Sequence, residues 1–213
     1  MDLEKAYSVK TPEDNRKLYA EWAATYNDTF IKANDYVYPR TIARKFDEQI
    51  STTDVIKVAD IGCGTGAVGS YLANLRPNLS IDGFDISPEM LAEASKTTRI
   101  DNSPVYNDLI EVDLTSELPK RSYDAMISAG TFTHGHLGPE TLIALSQLLR
   151  INGWFVIGIN AQYFELRGFA ATLREAHQTG VISEVRLYEE QVYGPTSSHF
   201  GDTTRIAVYS RLK

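Results

Sequence analysis

The sequence contains a single cysteine, Cys63, among its 213 residues. One cysteine excludes an internal disulfide and a zinc site built from several cysteines, which fits a reducing compartment. No run of residues approaches the roughly 20 apolar positions of a membrane span. The opening residues, Met1 to Lys5, carry charges where a signal peptide has an apolar segment. We therefore expect a cytoplasmic protein that makes no membrane contact.

Basic residues are also scarce, with 21 lysines and arginines against 28 acidic residues and a net charge of -7. Sequence-independent binding of nucleic acids depends on lysine and arginine contacts with phosphates. The charge therefore argues against a nucleic-acid partner and favours a small or weakly charged one. With 43% hydrophobic residues and no composition break, the chain is typical of one globular domain spanning residues 1–213.

Two stretches near the N-terminus repeat large apolar residues every four positions, which aligns them on one helical face. The first comprises Leu18, Trp22, Tyr26 and Phe30, and the second, after Pro39, comprises Ile42, Phe46 and Ile50. Each stretch predicts one amphipathic helix. We expect residues 1–52 to form a helical lid and residues 53–213 to form the core.

Beyond residue 54 the pattern alternates between short apolar runs and helical periodicity. The predicted strands are 55–59, 80–85, 104–107, 123–128 and 153–160, and the predicted helices are 68–75, 88–96, 139–150 and 164–178. Two further strand-like runs, 183–193 and 205–212, have no helical pattern between them, so we expect an antiparallel pair. Long crossovers and buried strands predict a mainly parallel sheet with helices on both faces.

The first of these strands ends in Asp60-Ile61-Gly62-Cys63-Gly64-Thr65-Gly66. A glycine-rich turn that enters a helix offers unobstructed backbone N–H groups and is typical of nucleotide-type cradles. Asp60 is placed either to orient this loop or to bind an ammonium group. Asp85 ends the next strand, where a carboxylate accepts hydrogen bonds from ribose hydroxyls. The alternative is that the glycines are ordinary turn residues and Asp85 a solvated cap.

The same loop satisfies the dinucleotide pattern G-x-G-x-x-G/A through Gly62, Gly64 and Ala67, so an NAD-dependent oxidoreductase is a competing interpretation. Two features separate the loop from that pattern. An acid stands directly ahead of it, and the third glycine follows two positions after the second instead of three.

Four segments together resemble the sequence motifs of class I S-adenosylmethionine-dependent methyltransferases: residues 58–66, 85–91, 112–127 and 148–155. The resemblance implies a Rossmann-like, doubly wound α/β fold whose seven-stranded sheet is mainly parallel with an antiparallel C-terminal strand. It implies methyl transfer from S-adenosylmethionine to a small-molecule acceptor, leaving S-adenosylhomocysteine. Residues 22–27 and 36–39 are similar to the lead-in of small bacterial methyltransferases related to the Williams-Beuren-region group, where such helices cover the cofactor.

The resemblance assigns a set of residues to the cofactor. The loop contacts the methionine part, Asp85 the ribose, Ile86 borders the adenine, and Asp113 addresses the adenine amino group. Tyr26 and Tyr36 are candidates for the lid, with plain core packing as the alternative. The complete predicted set is Asp60, Gly62, Cys63, Gly64, Gly66, Asp85, Ile86, Met90, Asp113, Leu114, Ser128, Ala129, Tyr26 and Tyr36.

The acceptor is expected beside the loop that follows the fourth strand, because open α/β sheets bind ligands at the carboxyl ends of their strands. We predict a pocket formed by Phe132, Thr133, His134 and Tyr163, with His134 as a general base. The plain alternative is that His134 and His136 only bond the loop or face solvent. No metal is expected, because the two histidines have no third ligand at a suitable spacing. A cofactor-binding module without catalysis also remains open, and the sequence assigns no oligomeric state.

Overall fold

The computed structural model describes residues 9, 11–50, 57–116 and 118–213, and within them it contains a seven-stranded sheet. The strands are β1 Lys57–Ile61, β2 Ser80–Asp85, β3 Tyr106–Glu111, β4 Tyr123–Phe132, β5 Leu149–Asn160, β6 Arg186–Gln191 and β7 Thr203–Ser210. The helices are α1 Pro12–Trp22, α2 Tyr38–Gln49, α3 Ala67–Leu75, α4 Pro88–Ala94, α5 Pro139–Ala144, α6 Ala161–Leu166 and α7 Phe169–Gln178.

The strand order across the sheet is β3-β2-β1-β4-β5-β7-β6. The first five strands pair in parallel, and β7 runs antiparallel to both β5 and β6. The predicted fold class, mainly parallel with one reversed strand near the C-terminus, is confirmed. The chain moves outward from β1 in one direction and from β4 in the other, so the sheet has its topological switch point between these two strands.

Neighbouring residues along the central strands contribute to two separate hydrophobic cores, one on each face of the sheet. Val58 and Ala125 belong to the first core, which also contains α2, α3 and α4 residues. Ala59 and Met126 belong to the second, together with α5 and α7 residues. Because successive strand residues point to opposite faces, the near-continuous apolar runs predict this double burial.

The helix α2 is part of the first core. Its residues Ile42, Ala43 and Phe46 are fully buried among residues of the sheet and of α3. Of the predicted lid, residues 1–52, the structure describes residue 9 and residues 11–50.

The single long helix predicted through Phe30 is wrong. The helix α1 begins at a capping box formed by Thr11 and Asp14 and ends at Trp22. A short 3₁₀ turn, Ala23–Thr25, and a π-helix, Asn27–Lys32, follow it. A 3₁₀ turn is tighter than an α-helix and a π-helix is wider, so residues spaced four apart no longer lie on one face. They bury Phe30 while Tyr26 stays partly open.

Other boundaries differ by a few residues. The predicted helix 139–150 ends early, because β5 already begins at Leu149, opposite Tyr123. Within β5, Asn152 has a φ of 64°, a left-handed conformation that asparagine tolerates. The predicted helix 164–178 begins at Ala161 and breaks at Gly168. The first predicted strand, 55–59, is described only from Lys57 onward.

In the described residues, the structure contains no helix of the length and apolar character that crossing a membrane requires.

Candidate active site

The glycine loop after β1 is tied to β4. The carbonyl oxygen of Ile61 accepts hydrogen bonds from the hydroxyls of Ser128, at 2.8 Å, and Thr131, at 3.0 Å. Gly62 has a φ of 63°, and a Cβ atom there would lie 2.0 Å from Oγ1 of Thr131. Only glycine fits this position, because any side chain would both strain the backbone and displace the β4 contact.

Asp60 is fully buried beneath this loop. Its Oδ2 accepts hydrogen bonds from the Tyr106 hydroxyl, at 2.7 Å, and from the backbone N–H of Gly69 in α3, at 3.1 Å. Burial raises the pKa of Asp60 to about 7, although both hydrogen bonds oppose that rise. Of the two roles the sequence allows, these contacts support the orienting one, since they position α3, the helix that the loop enters.

Asp85, at the end of β2, joins the loop from the other side. Its Oδ2 accepts a hydrogen bond from the backbone N–H of Gly64 at 2.8 Å, and its Oδ1 accepts one from the N–H of Ser87 at 2.9 Å. Burial raises the pKa of Asp85, while these backbone hydrogen bonds act in the opposite direction. Each carboxylate oxygen has a further lone pair, so the group can accept hydrogen bonds from a ligand as well.

A cavity of about 430 Å³ lies at the carboxyl edge of the sheet, beneath α1 and the π-helix. It spans the switch point between β1 and β4, the usual ligand position in open α/β sheets. The predicted residues that line it are Tyr26, Tyr36, Gly62, Cys63, Gly64, Asp85, Ile86, Met90, Asp113, Leu114, Ala129, Phe132, Thr133 and Tyr163. The sequence thus brings most of the predicted site into one cavity.

Four predicted site residues do not line this cavity: Asp60, Gly66, Ser128 and His134. The first three support it from behind: Asp60 accepts a hydrogen bond from Gly69 of α3, Ser128 bonds the Ile61 carbonyl, and Gly66 is the N-cap of α3 with a φ of 87°. His134 lines a second pocket with Asn160 and Asp202, and its ring lies 5.0 Å from that of Tyr163. The base role predicted for His134 therefore has no support from its position.

The neighbouring histidine, His136, does line the large cavity. Its Nδ1 lies 2.8 Å from the carbonyl oxygen of His134, and Tyr19 packs edge-on against its ring at 5.7 Å. Burial lowers the pKa of His136, so the imidazole is neutral at pH 7. Of the two histidines, His136 faces the large cavity and His134 does not.

Sequence reasoning missed the lid residues that contact this edge. In α1, Asn15 is buried, lines the cavity and donates from Nδ2 to the carbonyl oxygen of Gly135 at 2.8 Å. Tyr19 lines the cavity one turn later. A polar Asn15 on the same helical face as Leu18 and Trp22 was the available signal.

Two further contacts connect the lid to the core. The hydroxyl of Thr65, in the glycine loop, donates to Oδ1 of Asn27 at 2.7 Å. Arg16 forms an ion pair with Glu111 at the end of β3. An aromatic group consisting of Tyr19, Tyr26, Phe30, Tyr36 and Tyr193 covers the cavity from this side.

Charged side chains occupy opposite parts of the cavity. Asp85 and Asp113 lie toward β2 and β3, and Oδ1 of Asp113 is engaged by the backbone N–H and hydroxyl of Thr115. Arg167, exposed at the rim, stacks over the ring of Tyr163 at 5.7 Å. In the described ranges no group of three His, Cys, Asp or Glu side chains is arranged to bind a metal ion.

The switch-point cavity, the glycine loop and the reversed β7 strand together define the class I methyltransferase fold. Residues 59–155 match the family described as a methyltransferase domain. This match covers all four segments whose motifs resemble those of class I S-adenosylmethionine-dependent methyltransferases, the first of them from residue 59 onward, and it agrees with that prediction. The resemblance of the lead-in to the Williams-Beuren-region group stays a prediction.

Known proteins similar to the chain are methyltransferases. Malonyl-[acyl-carrier protein] O-methyltransferase 1 of Ilyobacter polytropus is 32% identical over 118 residues, covering 54% of this chain and 43% of the relative. Trans-aconitate 2-methyltransferase of Streptomyces avermitilis is 34% identical over 86 residues, covering 39% of this chain and 32% of the relative. The chain thus spans less than half the length of these curated relatives.

Among solved structures, the magnesium protoporphyrin IX methyltransferase of Synechocystis PCC 6803 with bound S-adenosylhomocysteine is similar in fold. It has a TM-score of 0.62 and 18% identity, covering 92% of this chain and 95% of that one. At this identity the likeness establishes the shared fold and nothing finer.

Proposed function

We propose that the chain transfers a methyl group from S-adenosylmethionine to a small-molecule acceptor and releases S-adenosylhomocysteine. The observation that carries the proposal is the hydrogen bond between Asp85 and the N–H of Gly64 inside the cavity. It fixes a carboxylate against the glycine loop, at the distance where one ligand reaches both. The methyltransferase relatives support the same activity.

The residues of the cavity fit this cofactor. A Cβ atom on Gly64 would meet nothing within 4 Å, so the loop leaves open space above its backbone. Asp85 has lone pairs for two ribose hydroxyls. Ile86, Met90 and Leu114 provide an apolar border for the adenine, with Asp113 positioned at the same end. Gly62, Cys63 and Gly64 contact the methionine part of the cofactor. Ala129, Tyr26 and Tyr36 cover that end of the cavity.

When bound, the cofactor supplies an activated methyl group on a sulfonium centre. The protein then has to hold the acceptor atom in line behind that methyl group, because orientation provides much of the rate enhancement in such displacements. The lid contributes by limiting the access of water: α1, the π-helix and Tyr36 cover part of the cavity. Ser128 and Thr131 bond the carbonyl of Ile61 and hold β4 against the loop, and we expect this contact to set the distance between cofactor and acceptor.

An NAD-dependent oxidoreductase is disfavoured by the sheet. Dinucleotide-binding folds use six parallel strands in the order 3-2-1-4-5-6, whose second half receives the nicotinamide side. Here the reversed β7 lies next to β5. Asp60 also accepts hydrogen bonds from Tyr106 and Gly69, and the dinucleotide pattern has no acidic residue with this role ahead of its loop.

The acceptor is proposed to be a small molecule. The cavity, of about 430 Å³, is partly covered by the aromatic side chains of the lid, and its size suits small ligands. The net charge of -7 also disfavours nucleic acids. The curated relatives act on malonyl-[acyl-carrier protein] and trans-aconitate, according to their names, so both a carrier-bound and a free acid belong in a first screen.

Calorimetric titration of the full chain with S-adenosylhomocysteine and, separately, with NAD tests the proposal. We expect micromolar or tighter binding of S-adenosylhomocysteine and none of NAD. Binding of NAD alone would overturn the assignment. Methyl transfer is then measured with isotope-labelled S-adenosylmethionine and small-molecule extracts. Binding without transfer to any component would favour the non-catalytic module.

A further inference from the structure

Three polar atoms on the lid side of the cavity have no hydrogen-bond partner among the described residues, although they are buried. They are Oδ1 of Asn15, Oγ1 of Thr133 and Nε2 of His136. Asn15, Thr133 and His136, which we call the polar cluster, all line the cavity. A buried polar atom without a partner is destabilising, and native proteins seldom retain one without a reason. Three on one cavity wall indicate that a ligand provides the missing bonds.

The contacts of the polar cluster place its members close together. The backbone N–H of His136 donates to the carbonyl oxygen of Thr133 at 3.1 Å, which closes a turn over residues 133–136. Asn15 donates its Nδ2 to Gly135 within the same turn. The cluster is therefore one turn of the β4–α5 connection with one lid residue bonded to it.

The bonds that do exist determine what the remaining atoms can accept or donate. A carbonyl oxygen only accepts, so the amide atom of Asn15 that bonds Gly135 is the NH₂ group. The partnerless Oδ1 is then a pure acceptor. For the same reason, Nδ1 of His136 carries the proton that it donates to the carbonyl of His134. A neutral ring with hydrogen on Nδ1 leaves a lone pair on Nε2, a second pure acceptor.

This arrangement discriminates between acceptor chemistries. A carboxylate carries only hydrogen-bond acceptors and a negative charge, so it would leave Oδ1 of Asn15 and Nε2 of His136 unpaired and repelled. A hydroxyl or amine brings hydrogens to these atoms. Arg167, the cationic side chain of the described lining, is exposed at the rim near Tyr163 and does not belong to the polar cluster.

Resting on the proposed function, we propose that the polar cluster recognises a methyl acceptor whose nucleophilic atom carries hydrogen, an O–H or N–H group, and not a carboxylate. The lone pair of that oxygen or nitrogen forms the new bond to the methyl carbon as the carbon–sulfur bond breaks, with its electron pair remaining on sulfur. The proton of the nucleophile passes to Nε2 of His136 and then to solvent. Asn15 and Thr133 orient the nucleophile.

The experiment compares three ring compounds that differ in one group: phenol, which donates a hydrogen bond, anisole, which has the same oxygen without hydrogen, and benzoate. Each is titrated into the full chain saturated with S-adenosylhomocysteine. We expect phenol to bind at least fivefold more tightly than anisole and than benzoate. Equal affinities for all three, including no affinity for any, or tighter binding of benzoate would overturn the proposal.

Variants assign the preference to the polar cluster. We expect His136→Phe and, independently, Thr133→Val to lower the ratio of phenol affinity to anisole affinity toward one. Their affinity for S-adenosylhomocysteine should stay within twofold of the parent's. The matched control is His177→Phe, the same change at the end of α7, outside the cavity, and it keeps the parent ratio. A phenol-to-anisole affinity ratio like the parent's in both cluster variants contradicts the proposal. If the parent chain itself does not bind S-adenosylhomocysteine, the proposed function is contradicted instead.

Nitrogen-15 NMR of histidine-labelled chain tests the tautomer without any acceptor. Comparison with His136→Phe assigns the His136 signals. With S-adenosylhomocysteine bound at pH 7, Nε2 of His136 is expected at the chemical shift of an unprotonated imidazole nitrogen and Nδ1 at that of a protonated one. A proton on Nε2 would overturn the proposal, because the cluster would then offer a donor to a carboxylate.

Discussion

The hydroxyl of Thr65 donates a hydrogen bond to Oδ1 of Asn27 at 2.7 Å. The two residues are 38 positions apart, one in the glycine loop and one at the start of the π-helix. Thr65 is buried, whereas Asn27 lies on an otherwise exposed turn. This bond connects the lid directly to the loop that we propose holds the cofactor.

Asn27→Ala is expected to release the cofactor faster. A neutral hydrogen bond contributes about 1 kcal/mol, so we expect S-adenosylhomocysteine to dissociate roughly fivefold faster and the free energy of unfolding to fall by about 1 kcal/mol. Stopped-flow dissociation measures this rate. The control is Asp28→Ala, which removes only the ion pair with Lys32 inside the same helix. Equal dissociation rates in the two variants would show that the Thr65 contact does not hold the lid.

Gly62→Ala is expected to destabilise the fold more than Gly168→Ala. Both glycines have positive φ, so both substitutions carry a backbone strain of about 1 kcal/mol. Only Gly62 has a neighbour in the way, Oγ1 of Thr131 at 2.0 Å from the added Cβ, whereas Gly168 has open space. We expect a further loss of about 1–3 kcal/mol at Gly62 from overpacking, measured by urea unfolding. Equal losses would contradict the packing described for the loop.

Gly64→Ala separates binding from folding. Its added Cβ meets nothing within 4 Å, so its stability should resemble that of Gly168→Ala. The methyl group instead enters the cavity, and we expect S-adenosylhomocysteine affinity to fall at least tenfold, as measured by calorimetry. Parent-like affinity would mean that the cofactor does not lie against Gly64.

Asp60→Asn is expected to change how stability depends on pH. The pKa of Asp60 is about 7 in the folded chain and near its ordinary value of 3.8 when unfolded, so the folded state holds the extra proton between these values. Its contribution to stability therefore falls as pH rises from about 4 to 7, by at most roughly 1.4 kcal/mol per pH unit.

Urea unfolding at pH 4.5, 5.5 and 6.5 compares the parent chain with Asp60→Asn. The asparagine does not titrate, so the variant should gain stability relative to the parent at each step upward in pH. Parallel profiles would show that Asp60 titrates alike in both states. Tyr106→Phe is a useful companion, because it removes the hydroxyl that donates to Oδ2, raises the pKa of Asp60 further and extends the fall in stability to higher pH.

Sequence patterns that reflect local physics predicted the fold well. The strand Ser80–Asp85 has the predicted bounds, because the turn residues Pro77-Asn78 before it and Pro88 after it limit the segment on both sides. The N-terminal helix was predicted too long, because a four-residue spacing cannot reveal where an α-helix gives way to 3₁₀ and π turns. The spatial position of β7 between β5 and β6 also depends on pairing that periodicity does not encode.

The cofactor side of the site was more predictable than the acceptor side. Asp85 and the glycine loop each lie where a strand turns into a helix, so their place at the carboxyl edge of the sheet follows from topology. The choice between His134 and His136 depends on the turn around Gly135, whose φ is 75°. Asn15 reaches that turn from 120 residues away, a tertiary contact that no local pattern contains.

The most direct test of the central claim is calorimetric titration of S-adenosylhomocysteine into the parent chain, Asp85→Ala and Asp108→Ala. Asp85 bonds the glycine loop inside the cavity, whereas Asp108 is an exposed carboxylate on β3 that pairs with Arg121. We predict at least a tenfold loss of affinity in Asp85→Ala and parent-like affinity in Asp108→Ala, with both variants folded by circular dichroism. Equal affinity in Asp85→Ala and the parent would contradict the assignment of this cavity to the cofactor.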